Sequence, residues 1–220
     1  MAYDARGHGA SDPAPSPEAY TYADLADDLV RVLDDAGLDR AVLAGASMGA
    51  HTALRVALHA PERVAGLVVV TPAYHPELAP PDLDRWDRLS AGLRTGGVEG
   101  FVAAYGDPGV PDAWRETVFR VIRQRLAVHD HPEAVADALR AVPRSAPFDV
   151  EDLADVSAPT VVVADRDEAD PGHPLVVGEE YARRIPGARL VVEDEGQSPI
   201  AWQGGQLSKV IAELAAGAFA

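Results

Sequence analysis

The sequence predicts an α/β protein: a mostly parallel sheet flanked by helices, with a helical insertion. Three observations predict it. Four short runs, residues 41–44, 67–70, 160–163 and 189–192, are apolar along nearly their whole length. Helical patterns alternate with these runs. Between about Pro72 and Pro147 strand signals vanish and only helical spacing remains. Strands that are apolar on both faces belong to a parallel sheet covered on both sides. In such sheets ligands bind beyond the carboxyl ends of the strands, so the residues just after each run are where chemistry is sought.

The first helix is expected to start at Thr21, with Asp24 at capping-box distance. Leu25, Leu29, Val32, Leu33 and Ala36 form its apolar face, and Gly37 ends it. Residues 48–59 read as a second helix, closed by Pro61. In the middle segment Trp114, Val118, Val121, Ile122 and Arg125 share one helical face, and residues 135–139 another. Pro and Gly punctuate this segment. A helix over 179–185 precedes the fourth strand. The last helix covers about 206–216, with Leu207, Val210, Ile211 and Leu214 on one face.

Composition limits the function classes. The chain has 220 residues, with 19 Lys+Arg against 35 Asp+Glu and a net charge of −16. Such a surface repels phosphate backbones and anionic lipid, so neither nucleic acid nor membrane is an expected partner. No apolar run approaches the roughly 20 residues of a membrane span, and the first residues do not read as a signal peptide. The cytoplasm is the expected compartment. With no cysteine there is no thiolate nucleophile and no Cys-based metal site. No pair of His has a metal-site context and no Gly-rich phosphate loop follows a strand, so no metal and no cofactor is expected.

The run at 41–44 leads into Gly45-Ala46-Ser47-Met48-Gly49 and then a helix. G-x-S-x-G between a strand and a helix is the pattern of a nucleophile elbow. A sharp turn presents the Ser47 hydroxyl at the helix N-terminus, where the Met48 N–H can stabilise an oxyanion.

Further motifs extend the pattern. Asp4-Ala5-Arg6-Gly7-His8-Gly9-Ala10-Ser11 resembles the D-x-R-G-x-G-x-S loop of the α/β-hydrolase fold family. Pro61-Glu62-Arg63-Val64 resembles the P-E-R-V segment before a later strand of that family. Residues 159–163 resemble the strand before its catalytic acid, and Gly196-Gln197-Ser198-Pro199 its G-H-S-P loop. The sequence is therefore similar to that family over nearly its whole length. The resemblance implies a core of residues 1–72 and 148–220, a helical lid of 73–147, and a serine hydrolase acting on an ester or related acyl bond of a small-molecule substrate.

The resemblance also assigns roles. Ser47 is the expected nucleophile, Met48 the oxyanion donor and Asp167 the acid, with Asp165 and Asp170 as rivals. The family's His position holds Gln197, whose amide cannot accept a proton near neutral pH. His173, just after the acid loop, is the substitute base. His8 is expected to hold its own turn and His51 to pack sideways, while His59, His75, His129 and His131 read as surface or insertion residues. Trp86, Phe101, Tyr105, Trp114 and Phe119 read mainly as the insertion's own core, and Trp202 as a pocket or anchor residue beside the 197 loop. The resemblance enters at the family's fourth strand. It thus implies an N-terminally shortened chain, an exposed sheet edge at 41–44 open to self-association, and half of the oxyanion hole unbuilt. The alternative is a non-catalytic ligand-binding or interaction protein on the same fold.

Overall fold

A computed structural model describes residues 1–219. Its main elements run α1 (Tyr22–Asp35), β1 (Ala41–Ala46), α2 (Met48–His59), β2 (Val64–Val70), α3 (Leu83–Tyr105), α4 (Asp112–Leu126), α5 (Pro132–Ala141), β3 (Thr160–Ala164), α6 (Leu175–Arg184), β4 (Arg189–Val192) and α7 (Gly204–Ala218). The four strands pair in parallel in the order β1-β2-β3-β4. Two compact units emerge: residues 1–28 with 81–146, and residues 29–80 with 147–220. The partition expected from sequence has the same boundary near 147 and places residues 1–28 and 73–80 differently.

The sheet lies in the second unit. β2 and β3 are buried at every position, which is why their runs lack polar alternation. Val68, Val70, Val161 and Val163 form one face, packed against Leu207, Val210, Ile211 and Leu214 of α7. Residues between them point to the opposite face. There α6 comes so close that a Cβ at Gly178 would stand 2.5 Å from the Ala164 Cβ. α2 packs on β1 and β2. β1 is an edge strand, with Ala44 and Ala46 exposed.

α1 follows its pattern. Thr21 and Asp24 form the reciprocal box: the Thr21 N–H donates to Asp24 Oδ2 and the Asp24 N–H to Thr21 Oγ1, both at 3.2 Å. At the far end Gly37 takes φ +66. The Gly37 N–H donates to the Asp34 carbonyl and the Leu38 N–H to the Leu33 carbonyl, both at 2.9 Å, a Schellman closure that satisfies carbonyls the helix leaves free.

The first unit is built on α3, α4 and α5. Leu89, Leu93, Phe101, Val135 and Ala136 form its core, with Trp86, Tyr105 and Ile122 packed against it. Sequence periodicity gives α4 and α5 but not α3, because Gly92, Gly96, Gly97 and Gly100 read there as breakers. In the structure they permit a fold-back. Gly97 takes φ +58 and kinks α3, and a Cβ on Gly92 would meet the Gly100 carbonyl oxygen at 2.5 Å. The loop before α1 is anchored by Arg6, whose Nε and Nη2 donate to the Asp28 carboxylate at 2.6 and 2.8 Å and whose Nη1 donates to the Ala19 carbonyl at 2.6 Å. This bidentate pair is only partly exposed. Asp28→Asn therefore lowers stability by about 1.5–3 kcal/mol, read as a shift of the urea midpoint; an unchanged midpoint would make the pair dispensable.

Candidate active site

Ser47 lies in the tight bend between β1 and α2, at φ +50 and ψ −112. A non-glycine residue in that region carries strain of about 1–3 kcal/mol, so the surroundings must hold it. The Ser47 N–H donates to the Val70 carbonyl at the end of β2 (2.9 Å), and the Ser47 carbonyl accepts from the His51 N–H at 3.1 Å. Behind the bend, a Cβ on Gly45 would stand 2.3 Å from the carbonyl carbon and oxygen of Gly49. The neighbouring strand end is strained too, with Thr71 at φ +44 and its N–H donating to the Val163 carbonyl at 2.7 Å.

Met48 is the first residue of α2, so its N–H has no acceptor within its own helix. The first turn carries no acidic side chain. The positive end of the helix dipole is thus not offset beside Ser47.

One turn into α2, His51 is 3% exposed. Its Nε2 accepts from the N–H groups of Ala73 and Tyr74 at 3.2 and 3.3 Å, which leaves the ring proton on Nδ1. Its ring meets Tyr74, Phe148 and Tyr181 at centroid distances of 6.2–6.3 Å. The Tyr181 hydroxyl donates to the Tyr74 carbonyl at 2.6 Å. Burial, with the nearby His173 charge adding to it, pushes His51 down to about 3. It is a neutral packing residue, as its sequence position implies.

The loop from β3 to α6 holds the other ionisable groups. Asp165 is buried. Asp167 is exposed and its Oδ1 accepts from the Leu175 N–H at 2.7 Å, so this carboxylate closes the N-terminus of α6. That explains why α6 begins at Leu175, four residues before the sequence expectation. Asp170 Oδ2 instead takes a hydrogen bond from His173 Nδ1 at 2.9 Å, and both side chains are largely shielded from solvent. In the neutral ring, Nδ1 donating to a carboxylate places the lone pair on Nε2.

Gln197 is exposed on the loop after β4, where Gly196 takes φ +76 and the Gln197 N–H donates to the Asp194 carbonyl at 3.0 Å. Trp202 is half-buried in the following short turn. His75 differs from its reading as a surface or insertion residue: it is buried, because its Nδ1 folds back to accept from the N–H groups of Glu77 and Leu78. In the first unit His8 Nδ1 donates to the Arg6 carbonyl at 3.0 Å, holding its turn, and His129 Nδ1 accepts from the Gly9 N–H at 2.7 Å. Among the described residues no group of three or more His, Asp or Glu is arranged to hold a metal ion. Among the described residues no helix is long and apolar enough to cross a membrane.

The family model of the alpha/beta hydrolase fold matches residues 1–129. A Caulobacter sp. protein named "Putative carbamate hydrolase RutD" is 30% identical over 197 residues, covering 88% of this chain and 71% of that protein. Among solved structures, a thermophilic esterase from Thermogutta terrifontis superposes with a TM-score of 0.74 at 29% identity, covering 98% of this chain and 78% of that one. The enol-lactonase from Burkholderia xenovorans gives 0.72 at 25% identity, covering 96% and 78%. The chain belongs to the alpha/beta hydrolase fold family. The class is that of hydrolases.

Proposed function

We propose that the chain is a cofactor-free serine hydrolase that cleaves an ester or a related acyl bond, such as a carbamate, of a small molecule. The observation that carries this reading is the strained conformation of Ser47 at the start of α2. Ser47 Oγ attacks the carbonyl carbon, and the Met48 N–H stabilises the oxyanion. The hydroxyl proton passes to His173 Nε2, while Asp170 holds the ring in the right tautomer and steadies the imidazolium. His173 then returns the proton to the departing alkoxide or amine. Water repeats the sequence on the acyl-Ser47 ester.

One observation favours His173 as base: it is hydrogen-bonded to a shielded carboxylate. Gln197 cannot take a proton, and Asp167 is engaged with α6. The names of the relatives, a carbamate hydrolase, an esterase and a lactonase, share an acyl carbon as the electrophile.

A fluorophosphonate probe tests the nucleophile. The wild-type chain should be labelled and Ser47→Ala should not. A well-folded wild-type chain that resists the probe would overturn the reading, and Gln197 at the family's His position would then favour a non-catalytic binding protein.

A further inference from the structure

Asp165 and Glu193 follow the last paired residues of two adjacent strands, Ala164 on β3 and Val192 on β4. They are 1% and 6% exposed. Each has one satisfied oxygen: Asp165 Oδ1 accepts from the Ala201 N–H at 3.4 Å, and Glu193 Oε1 from the Arg166 N–H at 2.5 Å. The other two oxygens, Asp165 Oδ2 and Glu193 Oε2, are buried with no donor. An unpartnered buried acceptor is costly, and more so when charged. Two buried like charges side by side add to that.

The cations nearby are turned elsewhere. Arg166 Nε donates to the Glu193 backbone carbonyl at 3.0 Å, and His173 Nδ1 to Asp170. Two further charges act on Asp165: Asp170, of the same sign, and the smaller, opposing effect of His173. A single proton between the two carboxyl groups would satisfy both vacancies by making one oxygen a donor to the other.

We infer that Asp165 and Glu193 share one proton between Asp165 Oδ2 and Glu193 Oε2, and that this bond ties the ends of β3 and β4 and positions the loop bearing Asp170 and His173. Both are positioning residues. The bond is independent of the Ser47 reading; only its consequence for turnover rests on it. Burial first, then the charges of Glu193 and Asp170, push Asp165 up to about 7. The sign follows from linkage. A folded-state pKa raised above the ordinary carboxylate range means that the folded chain binds more protons between about pH 4 and about pH 7. This group's contribution to stability is therefore largest in acid, declines through that window and is lost above it.

Infrared difference spectra and thermal midpoints test the bond. Wild type should show a protonated-carboxyl band at about pH 5 that fades by about pH 9, with a Tm contribution lost over the window set by the linkage. Asp165→Asn supplies a permanent N–H donor: it should lack the band, lose that pH step and keep its Tm at alkaline pH at or above wild type. Asp165→Ala should lie below both. The rate of fluorophosphonate labelling should fall with the same alkaline step in wild type and not in Asp165→Asn. A wild-type chain without the band, or Asp165→Asn as destabilised as Asp165→Ala, overturns the inference. The first two readouts are repeated on Ser47→Ala, so failure of the nucleophile and failure of the shared proton are told apart.

Discussion

His173→Ala lowers ester turnover and the rate of fluorophosphonate labelling at Ser47 by about 10²–10⁴-fold, the usual contribution of a positioned general base. The thermal midpoint changes little, because the ring lies on a connecting loop and its assigned hydrogen bond is to Asp170, three residues away. Asp170→Asn costs a comparable factor, since an amide facing Nδ1 can donate to it and hold the wrong tautomer. Asp167→Asn leaves the labelling rate within a few-fold of wild type, because its carboxylate serves the start of α6. If His173 is the base, as proposed, Gln197→His at its exposed position gives no gain. A rise of about 100-fold in Gln197→His, with His173→Ala silent, would return the base to position 197 and remove His173 from the mechanism.

The contrast between Asp167 and Asp170 shows where the sequence stops being informative. The strands were legible because burial on both faces leaves only apolar residues, as in Val68-Val69-Val70 and Val161-Val162-Val163. The strained turn at Ser47 was legible because strand, glycines and helix must all flank it. The hydrogen-bond partners in the loop after β3 were not. Counting from the strand end selects Asp167, yet the path of Pro171 and Gly172 brings His173 back onto Asp170, with the His173 N–H on the Asp170 carbonyl at 3.0 Å.

Nor were the carboxylates Asp165 and Glu193 distinguishable in a chain with 35 acidic residues. Their burial depends on which strand ends lie side by side, which no local pattern encodes. α3 was hidden for a related reason: glycine has a low intrinsic helix propensity, but here it lets two backbones approach.

Gly45→Ala destabilises the chain by about 1–3 kcal/mol, the range for overpacking, and abolishes labelling of Ser47, while Gly49→Ala does neither. Both glycines belong to G-x-S-x-G, and the motif gives no reason to separate them. The structure does. A Cβ at Gly45 would stand 2.3 Å from the Gly49 carbonyl carbon and oxygen and 2.8 Å from the Ala50 nitrogen. These are backbone atoms in the first turn of α2, so the helix start itself must move. That shift alters the bend holding Ser47 at φ +50 and carries the Met48 N–H with it.

At Gly49 a Cβ would meet nothing within 4 Å, and the backbone is not in the left-handed region. Alanine there gains helix propensity of up to about 1 kcal/mol. Denaturation midpoints and probe labelling of the two variants measure both effects. Equal losses at 45 and 49 would mean that the elbow is not held by the close approach of β1 to α2. Loss of labelling in a stable Gly49→Ala would mean that the open space beside Gly49 is where the reacting group must sit.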